Sequence, residues 1–249
     1  MSGLIVSIGD GLGSWSDPFR EAGYKVEVID PLVNGRYIQD ESGEPYRGRV
    51  DGVLVALPCT VHANSGVRWK FSHHRSLFKV RQSLQLWIEA ARFIGECEPR
   101  WWAFENPVGD LPQYVGPYSY TFNPNEYGDP YTKRTCIWSN LPKPPTSPVE
   151  ASEGSMLWRL PPGPDRWRER SKTPAGFARA FAEQAMTMLT LPLFEPAPVI
   201  ERPVQHLAWV SPGLWGGQWR AVCCCGERSP SWTGSARAHA WREKHEAGR

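Results

Sequence analysis

Short apolar runs separated by polar, helix-prone stretches dominate the first half of the chain, and their lengths restrict what they can become. Leu4-Ile-Val-Ser-Ile8, Lys25-Val-Glu-Val-Ile29, Asp51-Gly-Val-Leu-Val-Ala-Leu57 and Arg100-Trp-Trp-Ala-Phe104 are short and rich in β-branched or aromatic residues, so each predicts a strand. A helix is predicted through Pro18-Phe-Arg-Glu-Ala22. A longer one runs from Leu77 to Ile94, with Leu84, Leu86, Trp87, Ala90, Ala91 and Ile94 on one broad apolar face. Strand alternating with helix implies an α/β fold: a mostly parallel sheet with helices on both faces.

Beyond residue 139 the pattern changes. Proline and glycine dominate residues 139–170, which predicts loops rather than a second folded domain. Helical periodicity returns in Thr173-Pro-Ala-Gly-Phe-Ala-Arg-Ala-Phe-Ala-Glu-Gln-Ala-Met186, with Thr173 placed as N-cap and Pro174 as the first helical residue. The apolar pattern therefore divides the chain into a main domain over 1–195, a proline-rich linker over 196–204, and a small tryptophan-, cysteine- and histidine-rich module over 205–249. Strand, turn, strand and helix are expected in that module.

Composition narrows the possibilities only slightly. A chain of 249 residues buries a full α/β core and leaves a small appendage. The net charge of +2 neither demands nor excludes a polyanionic partner, so local basic clusters carry more information than the total. No apolar run approaches the roughly 20 residues that span a bilayer, and Gly and Asp interrupt the N-terminal apolar run too early for a signal peptide. A cytoplasmic protein is expected. Of the six cysteines, Cys59, Cys97 and Cys136 are scattered while Cys223, Cys224 and Cys225 are contiguous, a distribution of free thiols or metal ligands rather than of a secreted disulfide framework.

The chemistry-bearing residues fall at the ends of the predicted strands, where open α/β sheets bind ligands. Pro58-Cys59 closes the third run and Glu105-Asn106-Pro107 the fourth. A thiol nucleophile and a carboxyl acid at one sheet edge suit covalent attack on an electron-poor heterocycle. Gly11 and Gly13 follow the first run, where small residues let backbone approach a cofactor, and Asp30 ends the second, where an acid can take two ribose hydroxyls.

The order of these blocks resembles that of the DNA cytosine-5 methyltransferases, in particular short, phage-like members. Five blocks carry the resemblance over roughly residues 4–190: Gly11-Leu-Gly13-Ser-Trp15, Pro58-Cys59 with Ser65-Gly66, Glu105-Asn106-Pro107, Tyr127-Gly128-Asp-Pro130, and Ser171-Lys-Thr173-Pro174. The resemblance implies a class I Rossmann-like methyltransferase that uses S-adenosyl-L-methionine on cytosine C5 of double-stranded DNA. In it, Cys59 adds to C6 of a flipped-out base and Glu105 hydrogen-bonds or protonates N3. It further implies a cofactor site formed by Gly11, Gly13, Asp30, Asp40, Pro58 and Thr173, and substrate or DNA contacts from Ser65, Arg68, Asn106, Lys133, Arg134 and Thr135.

Three places depart from the family pattern. Gly9 stands where an aromatic residue usually stacks on the cofactor, and Leu57 replaces the first proline of Pro-Pro-Cys. Thr135 occupies the place of the arginine that holds the base oxygen, with Lys133 or Arg134 as substitutes. Two basic clusters, Arg68-Trp69-Lys70 with His73-His74-Arg75 and Asp165-Arg-Trp-Arg-Glu-Arg170, have the character of DNA contacts. In the tail, Cys223, Cys225, His239 and His245 resemble a two-Cys, two-His zinc finger, with a structural zinc as the implied ion, although Cys-x-Cys is tighter than the usual gap. The same chemistry on RNA or on a free cytosine nucleotide, and a catalytically silent DNA-binding protein, remain as alternatives.

Overall fold

A computed structural model describes residues 3–64, 77–155, 163, 166–190, 208–212, 218–223, 232–233 and 240. The chain separates into two compact units, Met1–Leu193 and Phe194–Arg249.

The first unit is built on a six-stranded sheet of order β2-β1-β3-β4-β6-β5. Its strands are β1 (Leu4–Ile8), β2 (Lys25–Ile29), β3 (Gly52–Val55), β4 (Trp101–Pro107), β5 (Tyr120–Phe122) and β6 (Thr135–Ser139). The pairs β1–β2, β1–β3 and β3–β4 are parallel. All residues of β1 and β3 are buried, as expected of strands covered on both faces. From β1 the chain steps to β2 on one side and then returns to β3 on the other. The crevice between the carboxyl ends of β1 and β3 is therefore the topological switch point.

The helices that lie against this sheet are α1 (Asp17–Glu21), α3 (Leu77–Cys97) and α6 (Ala175–Thr190); shorter α2 (Pro31–Asn34), α4 (Pro112–Val115) and α5 (Arg166–Ser171) connect them. Alternation along β4 shows the two faces. Trp101 stacks on Phe19 of α1 at 5.4 Å and meets Phe181 of α6 edge-on, while Phe104 stacks on Trp87 of α3 at 4.7 Å. The buried stripe of α3 is Ser83, Trp87, Ala90, Phe93 and Cys97, with Leu84, Leu86 and Ile94 only partly buried. The stripe expected from the sequence is thus rotated, and Ala91 faces solvent.

Two expectations need correction. β4 does not stop at Phe104: it continues through Glu105-Asn106-Pro107 because β6 pairs with it antiparallel, Glu105 opposite Ile137 and Asn106 opposite Cys136. The sheet is accordingly mixed, with β5 and β6 forming an antiparallel edge that the sequence pattern missed. Thr173 is also not the cap of the late helix. That helix starts at Ala175, and the Pro174 carbonyl accepts the bond from the Ala178 amide, so Thr173 lies one residue further out.

Residues 140–155 contain neither helix nor strand. They are nonetheless tied down, with Ser147 N donating to the Glu126 carbonyl and Val149 N to that of Asn125. In the second unit β7 (Ala208–Pro212), β8 (Gln218–Cys223) and β9 (Trp232–Thr233) form an antiparallel sheet of order β7-β8-β9. The short third strand was not anticipated. The expected helix and the linker 196–204 lie outside the described residues, apart from Ala240.

Candidate active site

The turn after β1 is shaped by backbone constraints that only glycine meets. Gly9 has φ of 73° and Gly13 of 70°, and a Cβ on Gly9 would stand 2.8 Å from the Ala56 carbonyl oxygen. No aromatic side chain can occupy that place. The departure at Gly9 is thus a requirement of how β1 and β3 leave the sheet, not a vacant position. Asp10, 6% exposed, organises the turn: its Oδ2 accepts from the amides of Trp15 (3.2 Å) and Ser16 (3.0 Å) and from the Ser16 hydroxyl (2.9 Å). Burial pushes its carboxyl pKa up, against those hydrogen bonds.

Asp30 ends β2 and caps α2, its Oδ1 accepting from the Leu32 amide at 2.8 Å. Its Oδ2 faces Gly11, where an added Cβ would stand 2.9 Å away. Gly11 thus leaves open a cradle beside a carboxylate oxygen. Leu32 and Val33, 80% and 53% exposed, offer apolar surface next to it. Asp40 is exposed in the 3₁₀ turn Ile38–Asp40. Thr173 is buried, and its amide donates to the Ser14 hydroxyl at 2.9 Å, which fastens the late segment to the Gly13 turn. Ser14 and Thr173 also line a cleft of about 360 Å³ that includes Asp17, Tyr131, Lys172 and Arg179. Cys59, Glu105 and Asp30 do not line that cleft.

Cys59 follows β3 in a tight turn, its carbonyl accepting from the amides of His62 (3.0 Å) and Ala63 (2.9 Å). Pro58 before it is exposed, and Cys59 itself is half-buried. Desolvation is the largest influence on the thiol and raises its pKa. The Glu105 charge raises it further, while Lys133 and Arg170 lower it. Glu105 is 6% exposed with Oε1 unpartnered, and burial raises its carboxyl pKa, Lys133 opposing and Asp10 adding to the effect. Asp10, Cys59, Glu105 and Lys133 are therefore one electrostatic cluster, delivered by the ends of β1 and β3, by β4 and by the segment leading into β6.

The choice between Lys133 and Arg134 is resolved by burial. Lys133 is 6% exposed and its Nζ donates to the Lys172 carbonyl at 2.8 Å. Arg134 is exposed, and the Thr135 hydroxyl is engaged with the Lys133 carbonyl at 2.8 Å. Lys133 is thus the cation of the cluster. Asn106 is fully buried with both amide atoms unpartnered, and strand alternation turns it to the face opposite Glu105, toward α3. It is not gathered with the cluster. Ser65 and Arg68, with the first basic cluster, lie outside the described residues; so do Cys225, His239 and His245, while Cys223 closes β8. Among the described residues no group of three or more His, Cys, Asp or Glu could hold a metal, and no helix is long and apolar enough to cross a membrane.

Sequence reasoning missed His62, Asp110 and Asp10. His62 Nδ1 lies 2.9 Å from Asp110 Oδ1. Nothing in the spacing of those two residues signals that contact, which depends on the loops after β3 and β4 being neighbours.

Strand order and switch point define a Rossmann-like α/β fold. No family model matches the sequence, and no curated protein matches it either. Among solved structures the chain is similar to a candidate DNA modification methyltransferase encoded within a prophage of E. coli. Identity is 17% and the TM-score 0.43, over 60% of this chain and 53% of that one. It is also similar to the S. pombe Dnmt2 methyltransferase at 10% identity and a TM-score of 0.35, over 55% of this chain and 48% of that one. The chain thus spans about half the length of the solved structures it matches.

Proposed function

We infer that the chain transfers a methyl group from S-adenosyl-L-methionine to C5 of cytosine in DNA, through a covalent bond between Cys59 and C6. The observation that carries this reading is that the sheet brings a half-buried thiol just after β3 together with a buried, unpartnered carboxyl on the adjacent β4 and a buried lysine leading into β6. A stable fold does not require that combination, since burying an acid and a cation is costly.

The residues around the first turn fit the cofactor. Gly11 leaves room beside Asp30 Oδ2, an acceptor suited to a ribose hydroxyl, and Leu32 and Val33 offer surface for an apolar ring face. When bound, the cofactor supplies an electrophilic methyl group on a sulfonium.

The chain's own residues activate the base. The raised pKa of Glu105 lets its carboxyl donate a proton or hydrogen bond to N3, which withdraws electrons from the ring. The Cys59 thiolate then adds to C6, and the C5–C6 electron pair makes C5 nucleophilic. After C5 has gained the methyl group, its proton leaves to a base, the C5–C6 double bond re-forms, the C6–Sγ bond breaks to return the thiolate, and any proton given to N3 goes back to the Glu105 carboxylate. Lys133 opposes the two upward shifts and is the cation available to the carbonyl oxygen of the base. The reacting face is hidden in a duplex, so the cytosine must be flipped out. The field of Arg170 at Cys59 supports α5 as a phosphate contact near the flipped nucleotide.

Transfer of tritium from labelled S-adenosyl-L-methionine tests the reading, with duplex DNA, RNA and deoxycytidine nucleotides as separate acceptors. Label in duplex DNA is the expected outcome. Label in RNA or nucleotide alone changes the substrate class, and label in none favours a silent DNA-binding protein.

The tail after residue 204 fits an accessory module that adds DNA affinity. Metal content of the full chain, and DNA binding after truncation at Val204, test that assignment.

A further inference from the structure

The loop that carries Cys59 is joined to the segment after Glu105 by a short ladder. Ala63 forms an antiparallel bridge with Gly109, the Asn64 amide donates to the Val108 carbonyl at 2.9 Å, and the Asp110 amide donates to the His62 carbonyl at 3.1 Å. Gly109 approaches the His62 carbonyl so closely that no Cβ would fit. Val108 N in turn donates to the Arg134 carbonyl at 3.4 Å, next to Lys133. Three segments of the site thus meet at this ladder, and among the described residues the His62–Asp110 side-chain pair crosses it. His62, 1% exposed, places Nδ1 2.9 Å from Asp110 Oδ1, and its ring packs on Tyr114 at 5.6 Å.

We propose that His62 and Asp110 are positioning residues that hold the Cys59 turn at a fixed place relative to Glu105; the proposal rests on the methyltransferase reading above. Nδ1–H donating to the Asp110 carboxylate sets the tautomer and ring orientation. Tyr114 closes one side of the ring, so the imidazole cannot turn without disturbing α4. Nε2 is buried with no hydrogen-bond partner among the described residues, so the side-chain link from His62 runs through Nδ1. Two loops 48 residues apart in sequence are joined by this contact, and a shift of the His62 backbone would carry the His62 and Ala63 amides that hold the Cys59 carbonyl. A displacement of about 1 Å in a reacting group costs on the order of 10²-fold in rate.

The test uses the full chain and the variants His62→Ala, His62→Gln, His62→Asn and Asp110→Asn. Asn carries an amide nitrogen where His carries Nδ1, whereas Gln carries one near Nε2. Formation of a covalent adduct with duplex DNA containing 5-fluorocytosine is expected to slow on the order of 10²-fold in H62A and H62Q with DNA affinity unchanged. H62N should recover most of that loss. Hydrogen–deuterium exchange of the Asn64 and Asp110 amides, read without substrate, should rise in H62A and H62Q and stay low in H62N. Wild-type adduct rate and exchange in H62A overturn the proposal. So does an H62N variant as slow as H62A, which would move the function to Nε2. If the wild-type protein forms no adduct, the methyltransferase reading fails, and exchange together with Cys59 alkylation rates decides the positioning role alone.

Discussion

Replacing Lys133 by Met removes the cation of the cluster while keeping an unbranched apolar stem. Lys133 is buried and lowers the pKa of both Cys59 and Glu105 against the effect of burial. An opposite charge favours the ionised form of a thiol or carboxyl, so removing Lys133 lowers the thiolate fraction of Cys59 at fixed pH. Met also strips the Lys172 carbonyl of its 2.8 Å donor, which costs about 1–3 kcal/mol of stability if the carbonyl finds no other. Lys133→Arg keeps the charge and serves as control. The assay is the pH dependence of Cys59 alkylation, followed on the peptide that contains it. Only the thiolate reacts, so reactivity climbs as pH rises through the folded thiol pKa. The midpoint should move up in the Met variant and stay in place in the Arg variant. An unchanged midpoint in Lys133→Met refutes the electrostatic account of the cluster.

Other consequences follow from the same geometry. Burial raises the Glu105 pKa, so its contribution to stability is fully present below the unfolded value of about 4.3 and is lost as pH rises through the folded one. Glu105→Gln should therefore raise the melting temperature at pH 8 and not at pH 4, and calorimetry finding the reverse order contradicts this. Asp30→Asn keeps a good helix cap, so titration calorimetry should show weakened S-adenosyl-L-methionine binding with a melting temperature within a few degrees of wild type. Equal affinity would remove Asp30 from the cofactor site. Gly9→Ala should cost more than about 1 kcal/mol in denaturant melts, because φ is positive and the Ala56 carbonyl oxygen lies only 2.8 Å from where the Cβ would stand. A neutral effect would show that the turn relaxes.

Much of the fold was legible because the runs that form it are self-describing. β1 and β2 end where their apolar stretches end, and α3 begins at the predicted Leu77. β6 was not legible, since Thr135–Ser139 follows a stretch rich in turn residues and gains strand character only by pairing with β4. The same pairing explains why β4 runs past Phe104 and why Glu105 and Asn106 face opposite ways. At the site, Cys59 and Glu105 were readable from their positions after apolar runs. The choice between Lys133 and Arg134 was not, because it depends on which residue β6 turns inward. The structural reason for Gly9 was equally hidden, since it lies in the φ of the turn and its approach to Ala56. His62 and Asp110 illustrate the general limit: contacts between loops are set by the order of strands, not by residue patterns within either loop.

The most direct test of the account is the mass of the Cys59 peptide after incubation with S-adenosyl-L-methionine and duplex DNA carrying 5-fluorocytosine, whose C5 has no proton to lose. The account predicts a stable adduct on Cys59 that forms only with cofactor present and is absent from Cys59→Ala. A wild-type protein that forms no adduct on any cytosine-containing acceptor, or a Cys59→Ala variant that still traps the DNA, would contradict it.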